Sequence, residues 1–181
     1  MRQMVAIMLM VLICGGYYMY LDSVGKVADD GVLKEADLLL YLDETLERME
    51  TNYPKSVEEA ISIYSEVLRH IYHLNTTEAV IEEAVPVLRT FYVDELLTLN
   101  PMQAQIDSLK AGHAITQEEE NYMIGTNIKQ VTYKDENTLA NVIVDHALTR
   151  QIATKEYCFI LANGEWKLYK WHDIVTETIE E

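Results

Sequence analysis

Cysteine, glycine, proline and positive charge are all scarce in this chain of 181 residues: two Cys, seven Gly, three Pro, and 14 basic side chains against 30 acidic ones. The two cysteines, Cys14 and Cys158, are expected on either side of a membrane boundary. An internal disulfide is therefore not expected, and the fold must stand on packing. Cys158, in an apolar stretch, reads as a small core residue. No glycine-rich loop that could cradle a phosphate, no nucleophile elbow and no CxxC pair occurs, which removes the common nucleotide, acyl-transfer and thiol-redox signatures. The formal charge of −16 and the lack of a basic stripe exclude nucleic acid and anionic lipid as partners. No cofactor is implied.

An uncharged apolar run is present. It extends from Met4 to Leu21, and at helical rise it covers roughly 27 Å, about the thickness of a bilayer's hydrocarbon core. Arg2 precedes it, Asp22, Asp29 and Asp30 follow it, and Tyr17, Tyr18 and Tyr20 cluster at its far end. That asymmetry predicts a signal anchor with its start (1–3) in the cytoplasm and the remainder outside. Two rivals share the same address. Ser23 and Gly25 would suit secretory cleavage, and VLICGG (11–16) approaches a lipoprotein signal at Cys14, although bulky Ile13 stands where a small residue is required. Residues 22–34 read as a polar tether, and residues 35–181 as one extracytoplasmic domain with its core over 53–173.

Within that domain the first two thirds carry helical spacing. A helix is expected from Glu35 to Thr51, ended by Pro54. Ser56 and Glu59 form a capping box that opens a second, whose apolar face is Val57, Ala60, Ile61, Tyr64, Leu68, Ile71 and Tyr72. Asn75 and Glu78 repeat the box and open a third helix to about Thr98, which Pro86 should kink or divide. Asn100-Pro101 reads as N-cap and first helical residue of a fourth segment that stops near Gly112. TQEEE (116–120) suits either a short helix or a charged loop. Segments 126–133, 138–149, 154–162 and 165–173 are then rich in β-branched and aromatic residues, and Asn163-Gly164 is a strong hairpin signal. Helices first and a meander afterwards predict an α+β fold, with about three helices laid on a curved antiparallel sheet.

The capped SVEEAISIYSEVL helix and the closing hairpin FILANGEWKLYKW resemble the nuclear transport factor two-like (SnoaL-like, α+β cone) superfamily over roughly Tyr53 to Asp173. That resemblance implies a sheet curled against helices around a hollow. NYP, DELLTLNP and WKLYKW are also similar to segments of an uncharacterised family of small membrane-anchored bacterial proteins, which implies architecture and no activity. Anchored cone domains serve as assembly parts of envelope machines. A non-catalytic ligand-binding or protein-interaction module at the cell envelope is therefore the leading expectation. Its candidate partners are the membrane through residues 4–21, an envelope protein, or a small apolar ligand. A small-molecule isomerase- or hydrolase-like enzyme using the hollow is the alternative.

In that alternative Asp145 is the candidate general base, with Tyr133, Tyr157 or Tyr169 as the oxyanion donor, since cone-fold isomerases set a carboxylate opposite hydrogen-bond donors. Asp145 and His146 are neighbours on one strand, and Val142, Val144 and His146 share the face opposite Ile143, Asp145 and Ala147. Trp166, Tyr169 and Trp171 are candidate ligand-binding residues. The five-residue spacing of the tryptophans puts them on opposite sides of their strand, one sealing the core and the other lining the hollow or an interface. Glu66, His70 and His73 have helical spacing suited to metal ligands but lack a further donor, so no metal is expected there and the set reads as a solvated helix edge. DENTL (135–139) lacks the spacing of a calcium loop.

Overall fold

The computed structural model describes residues 34–178. The expected start, the anchor over 4–21 and nearly all of the tether lie outside the described residues. Among the described residues, no helix is long and apolar enough to cross a membrane. The compact unit begins at Glu35. In chain order it contains α1 (Glu35–Thr51), α2 (Val57–Ile71), α3 (Glu78–Thr90), α4 (Asp94–Leu99), α5 (Met102–Glu118), β1 (Met123–Lys134), β2 (Leu139–Leu148), β3 (Gln151–Ala162) and β4 (Glu165–Thr178). The α+β expectation holds: helices pack on a four-stranded antiparallel sheet of order β1-β2-β3-β4. Among the described residues there are five helical segments where about three were expected.

α2 begins where its cap residues require. Ser56 is extended and its hydroxyl accepts from the Glu59 N–H at 3.1 Å. Glu59 reaches back one residue further than a capping box demands, taking the Lys55 N–H at 3.1 Å. Acidic Glu58 and Glu59 open the helix and basic Arg69 and His70 close it, matching the macrodipole at both ends. Val57, Ala60, Ile61, Tyr64, Val67 and Ile71 are buried on its inner face. Each such aliphatic side chain contributes roughly 1.5–3 kcal/mol when taken out of water.

α3 is the central helix, packed against α1, α2 and α5. Its sequence EAVIEEAVPVLRT therefore buries Val80, Ile81, Ala84, Val85, Val87 and Leu88, a wider arc than one amphipathic stripe. Two expectations about it are corrected. Its N-cap is Thr77, whose hydroxyl accepts from the Val80 N–H, and not Asn75. It also runs unbroken through Pro86. The helical stretch divides instead at Phe91–Val93, where the backbone leaves the helix to pair with β4: the Val93 N–H donates to the Leu168 carbonyl at 3.1 Å and the Leu168 N–H to the Phe91 carbonyl at 2.6 Å. A sheet bond at this point outweighs continued helix, because both buried backbone groups are satisfied.

The third correction concerns the next joint. Asn100 ends α4, its side-chain amide donating to the Leu96 carbonyl at 2.9 Å, while Pro101 takes the N-cap position of α5 without a side-chain bond. α5 does not stop at Gly112 but continues to Glu118, so TQEEE falls in its last turn and the turn beyond. Gly112 is a place of close approach: a Cβ there would stand 3.2 Å from the Tyr72 hydroxyl.

The meander alternates as its sequence suggests. In β2, Ala140, Val142, Val144 and His146 are fully buried toward the helices, and Asn141, Ile143 and Asp145 are half-buried on the other face. Asn163 and Gly164 turn β3 into β4, both with positive φ (55° and 83°), the backbone of a tight primed turn. Two bulges change the register of β4, one at Ile174, between Asp173 and Val175, and one nearer the turn. Phe159 pairs with Leu168 and Cys158 with Lys170, which leaves Tyr169 as the extra residue.

Candidate functional site

A cavity of about 320 Å³ lies between the sheet and helices α2, α3 and α5. Its size is at the lower end of the range for small-molecule pockets. Tyr64 and Leu68 enter from α2 and Tyr72 from its C-cap, Leu88 from α3, Gln105 and Leu109 from α5, and His146, Lys155, Tyr157 and Trp171 from the sheet. Tyr92 comes from the pinched joint between α3 and α4, so the sheet bond at Phe91–Val93 also aims a pocket side chain.

Two hydrogen-bonded groups organise the wall. The Tyr64 and Tyr92 hydroxyls meet at 3.2 Å, and the Gln105 side-chain amide donates to the Tyr92 oxygen at 3.0 Å. Gln105 is held in turn by Arg89, whose guanidinium donates to the Gln105 amide oxygen at 3.1 Å and to the Asn100 carbonyl at 2.6 Å. The second group is His146 with Tyr157, ring nitrogen Nε2 to hydroxyl at 2.7 Å. Tyr64 joins the two, its ring edge-on to that of Tyr157 at 5.6 Å. Trp171 stacks on Tyr92 at 6.0 Å between ring centres and remains 39% exposed, forming a lip.

The electrostatics of this wall follow from dehydration. Burial, with the nearby Lys155 ammonium as a second cause, pushes the His146 imidazole down to about 4. Burial likewise raises the phenols of Tyr64, Tyr72, Tyr92 and Tyr157 above their ordinary value. All are neutral near pH 7. His146 is 1% exposed, and its second nitrogen, Nδ1, has no hydrogen-bond partner among the described residues. An unmet polar atom at a buried site has a cost, commonly about 1–3 kcal/mol. Lys155 is the cation among the lining residues, and Asp173 holds it at 2.7 Å.

The residues singled out from sequence separate cleanly. His146 and Tyr157 come together in the cavity. Asp145 does not: it is on the opposite face, accepting from the Thr154 hydroxyl at 2.6 Å and paired with Lys129 at 3.3 Å. A strand neighbour of an inward residue must point outward, so Asp145 cannot face Tyr157 across the hollow. Tyr133 bonds the Glu58 carboxylate near the surface, far from a donor role in the cavity. Tyr169 is the bulged residue of β4, between Leu168 and Lys170, and is not among the cavity's lining residues.

The tryptophans are corrected too. The bulge at Tyr169 cancels the odd spacing. Trp171 opposes Tyr157, and Leu168 opposes Phe159, so Trp166, Leu168 and Trp171 share the helix-facing side. Trp166 seals the core beneath Tyr133, and Trp171 lines the cavity. Cys158 is buried as expected, yet on the face turned from the helices.

Glu66, His70 and His73 are not a solvated edge. His70 is buried, edge-on to Tyr41 at 5.2 Å and 3.3 Å from the Glu66 carboxylate. Hydrogen bonds from His70 and Arg69 hold Glu66 down to about 2. His73 turns away to accept the Asn75 N–H.

Sequence reading missed Tyr64, Tyr72, Tyr92 and Gln105 as parts of one site. The helical spacing of Tyr64 and Tyr72 was visible, but only the break after α3 brings Tyr92 to them.

No curated protein and no solved structure matches the chain. One family model does match, over residues 1–171, and the chain accordingly belongs to the family described as Domain of unknown function (DUF6715).

Proposed function

We propose that this protein is a cone-like binding module, held outside the cell membrane by residues 4–21, that takes a small aromatic or apolar molecule with one hydrogen-bonding or anionic end. The cavity with the buried, unpartnered His146 Nδ1 carries this reading. Tyrosine and tryptophan faces offer apolar contact, while His146 and Lys155 offer a polar end point.

The same geometry favours binding over turnover. A general base works best with a pKa near the working pH, whereas the His146 imidazole is held down at about 4 and Tyr157 is shifted upward. The Asp145 carboxylate, the general base expected from sequence, faces away. An isomerase- or hydrolase-like reaction would have to use the His146–Tyr157 contact alone.

The test uses the full chain in detergent and 4-fluorophenylacetate as probe, followed by fluorine NMR against a detergent blank. Saturable line broadening is expected, reduced at least about tenfold in apparent affinity by Trp171→Ala, which removes a desolvated aromatic anchor. Probe that broadens no more than in the blank refutes the cavity as a site for this class. Testing turnover requires a second measurement, incubation with small esters and enones. Conversion that depends on His146 would replace the binding reading by the enzyme reading. The address is checked separately: protease added to intact cells should remove the folded body, and full protection would place it inside.

A further inference from the structure

We propose that Glu156, Cys158 and His172 form a site for one divalent transition-metal ion, Zn²⁺ by donor type, on the face of the sheet turned away from the helices. Their ligand atoms lie within 4.8 Å of one another. The strands explain why. Glu156 and His172 are direct cross-strand partners on β3 and β4, and Cys158 lies two residues beyond Glu156 on the same face. One thiol, one imidazole and one carboxylate are a donor set suited to zinc, with water as the fourth ligand. Zinc bonds of about 2.0–2.3 Å would set the three atoms roughly 3.3–3.7 Å apart, a closure within reach of side-chain rotation on a fixed hairpin.

Neighbouring groups are arranged as supports. The Asn141 amide donates to Glu156 Oε1 at 2.7 Å from β2, which fixes the carboxylate and leaves Oε2 toward His172, at 3.0 Å from its Nε2. Such bonds to a ligating carboxylate orient it and tune the ion. The bulge leaves Tyr169 unpaired between Leu168 and Lys170, beside Cys158 on the neighbouring strand. Bulges are frequent beside functional sites because they re-aim one side chain without moving the strand. Lys170 opposes Cys158 across the pair, beside a thiol that burial and the Glu156 carboxylate hold above its ordinary value, so the ion itself must displace the thiol proton. An ordinary Glu156–His172 ion pair accounts for two of the three groups but not for a thiol buried beside them on the open face.

The test is a cobalt titration of the full chain carrying Cys14→Ser, so that Cys158 is the remaining thiol, after removal of metal with a chelator. A saturable, equimolar thiolate-to-cobalt charge-transfer absorption is expected, with displacement by Zn²⁺. His172→Ala should weaken cobalt binding at least about tenfold, a loss no smaller than that seen for supporting residues at such sites. Cys158→Ser should remove the absorption. If that variant fails to fold, His172→Ala still decides, because His172 is exposed and outside the core. Absence of the absorption at a large excess of cobalt, or its survival unchanged in His172→Ala, overturns the site. Cobalt uptake beyond one equivalent with no thiolate signal also overturns it, since that is the behaviour of a diffuse acidic surface.

Discussion

On the helix-facing side of β2 and β3, His146 and Tyr157 are buried, neutral and bonded to each other. One residue away along the same strands, on the other face, Asp145 and Glu156 are half-buried carboxylates held by Lys129, Thr154, Asn141 and His172. Identical backbone carries both sets. The contrast shows that dehydration by the helices, and not local sequence, decides whether a polar side chain is kept as a neutral hydrogen-bonding group or as a paired ion. It also separates two kinds of site: a hollow suited to a small organic molecule, and an open donor cluster suited to a cation.

That contrast can be attacked by mutation. The largest effect is expected from Phe159→Ala, which empties a fully buried position between sheet and helices. A loss of about 3–5 kcal/mol in urea unfolding is expected; a loss below about 1 kcal/mol would mean that the helix-facing side is not tightly packed.

His146 comes next. Its folded pKa is depressed from the ordinary 6.5 to about 4, so the unfolded chain binds more protons between those values. The stability it contributes is complete above about pH 6.5 and is lost as pH falls through 4, amounting to roughly 3 kcal/mol. Burial lowers His73 and His113 in the same direction and adds to this limb. His146→Gln should flatten the greater part of the slope between pH 6.5 and 4, as read by urea midpoints. An unchanged slope would show that His146 is not dehydrated.

Gly164, at φ 83°, is a smaller test of the hairpin on which both faces depend. Gly164→Ala should cost about 1–2 kcal/mol, because a Cβ disfavours the left-handed region. The smallest effect is expected on the open face. Lys129→Ala breaks a partly exposed pair with Asp145 and should change stability by less than about 1 kcal/mol. A loss comparable to that of Phe159→Ala would erase the distinction between the faces.

Much of the fold was legible in residue spacing. Ser56 with Glu59 marked the start of α2, the alternation ANVIVDHA marked the two faces of β2, and Asn163-Gly164 marked the final turn. These are local signals, set by 3.6- and 2-residue periods and by backbone preferences. The misread points share a different cause. The break at Phe91 and the bulge at Tyr169 each depend on a partner distant in sequence. The site suffered most from this. Asp145 was chosen as a pocket base without knowing which face the helices would cover, and Trp171 was assigned to the side opposite Trp166 because a one-residue bulge reverses the alternation. Glu156, Cys158 and His172 match no linear metal motif; they meet through hairpin register alone.

By itself, then, the amino-acid sequence determined the type of most elements, the α+β class and the acidic character, since these rest on periodicity, turn chemistry and composition. Tertiary structure alone decided which strand face was dehydrated, where the helical run yielded to a sheet bond, and which tyrosines surround His146. The physical reason is range. A residue's conformational preference acts over a few neighbours, but its solvation and hydrogen-bond partners are set by chain that returns from far away.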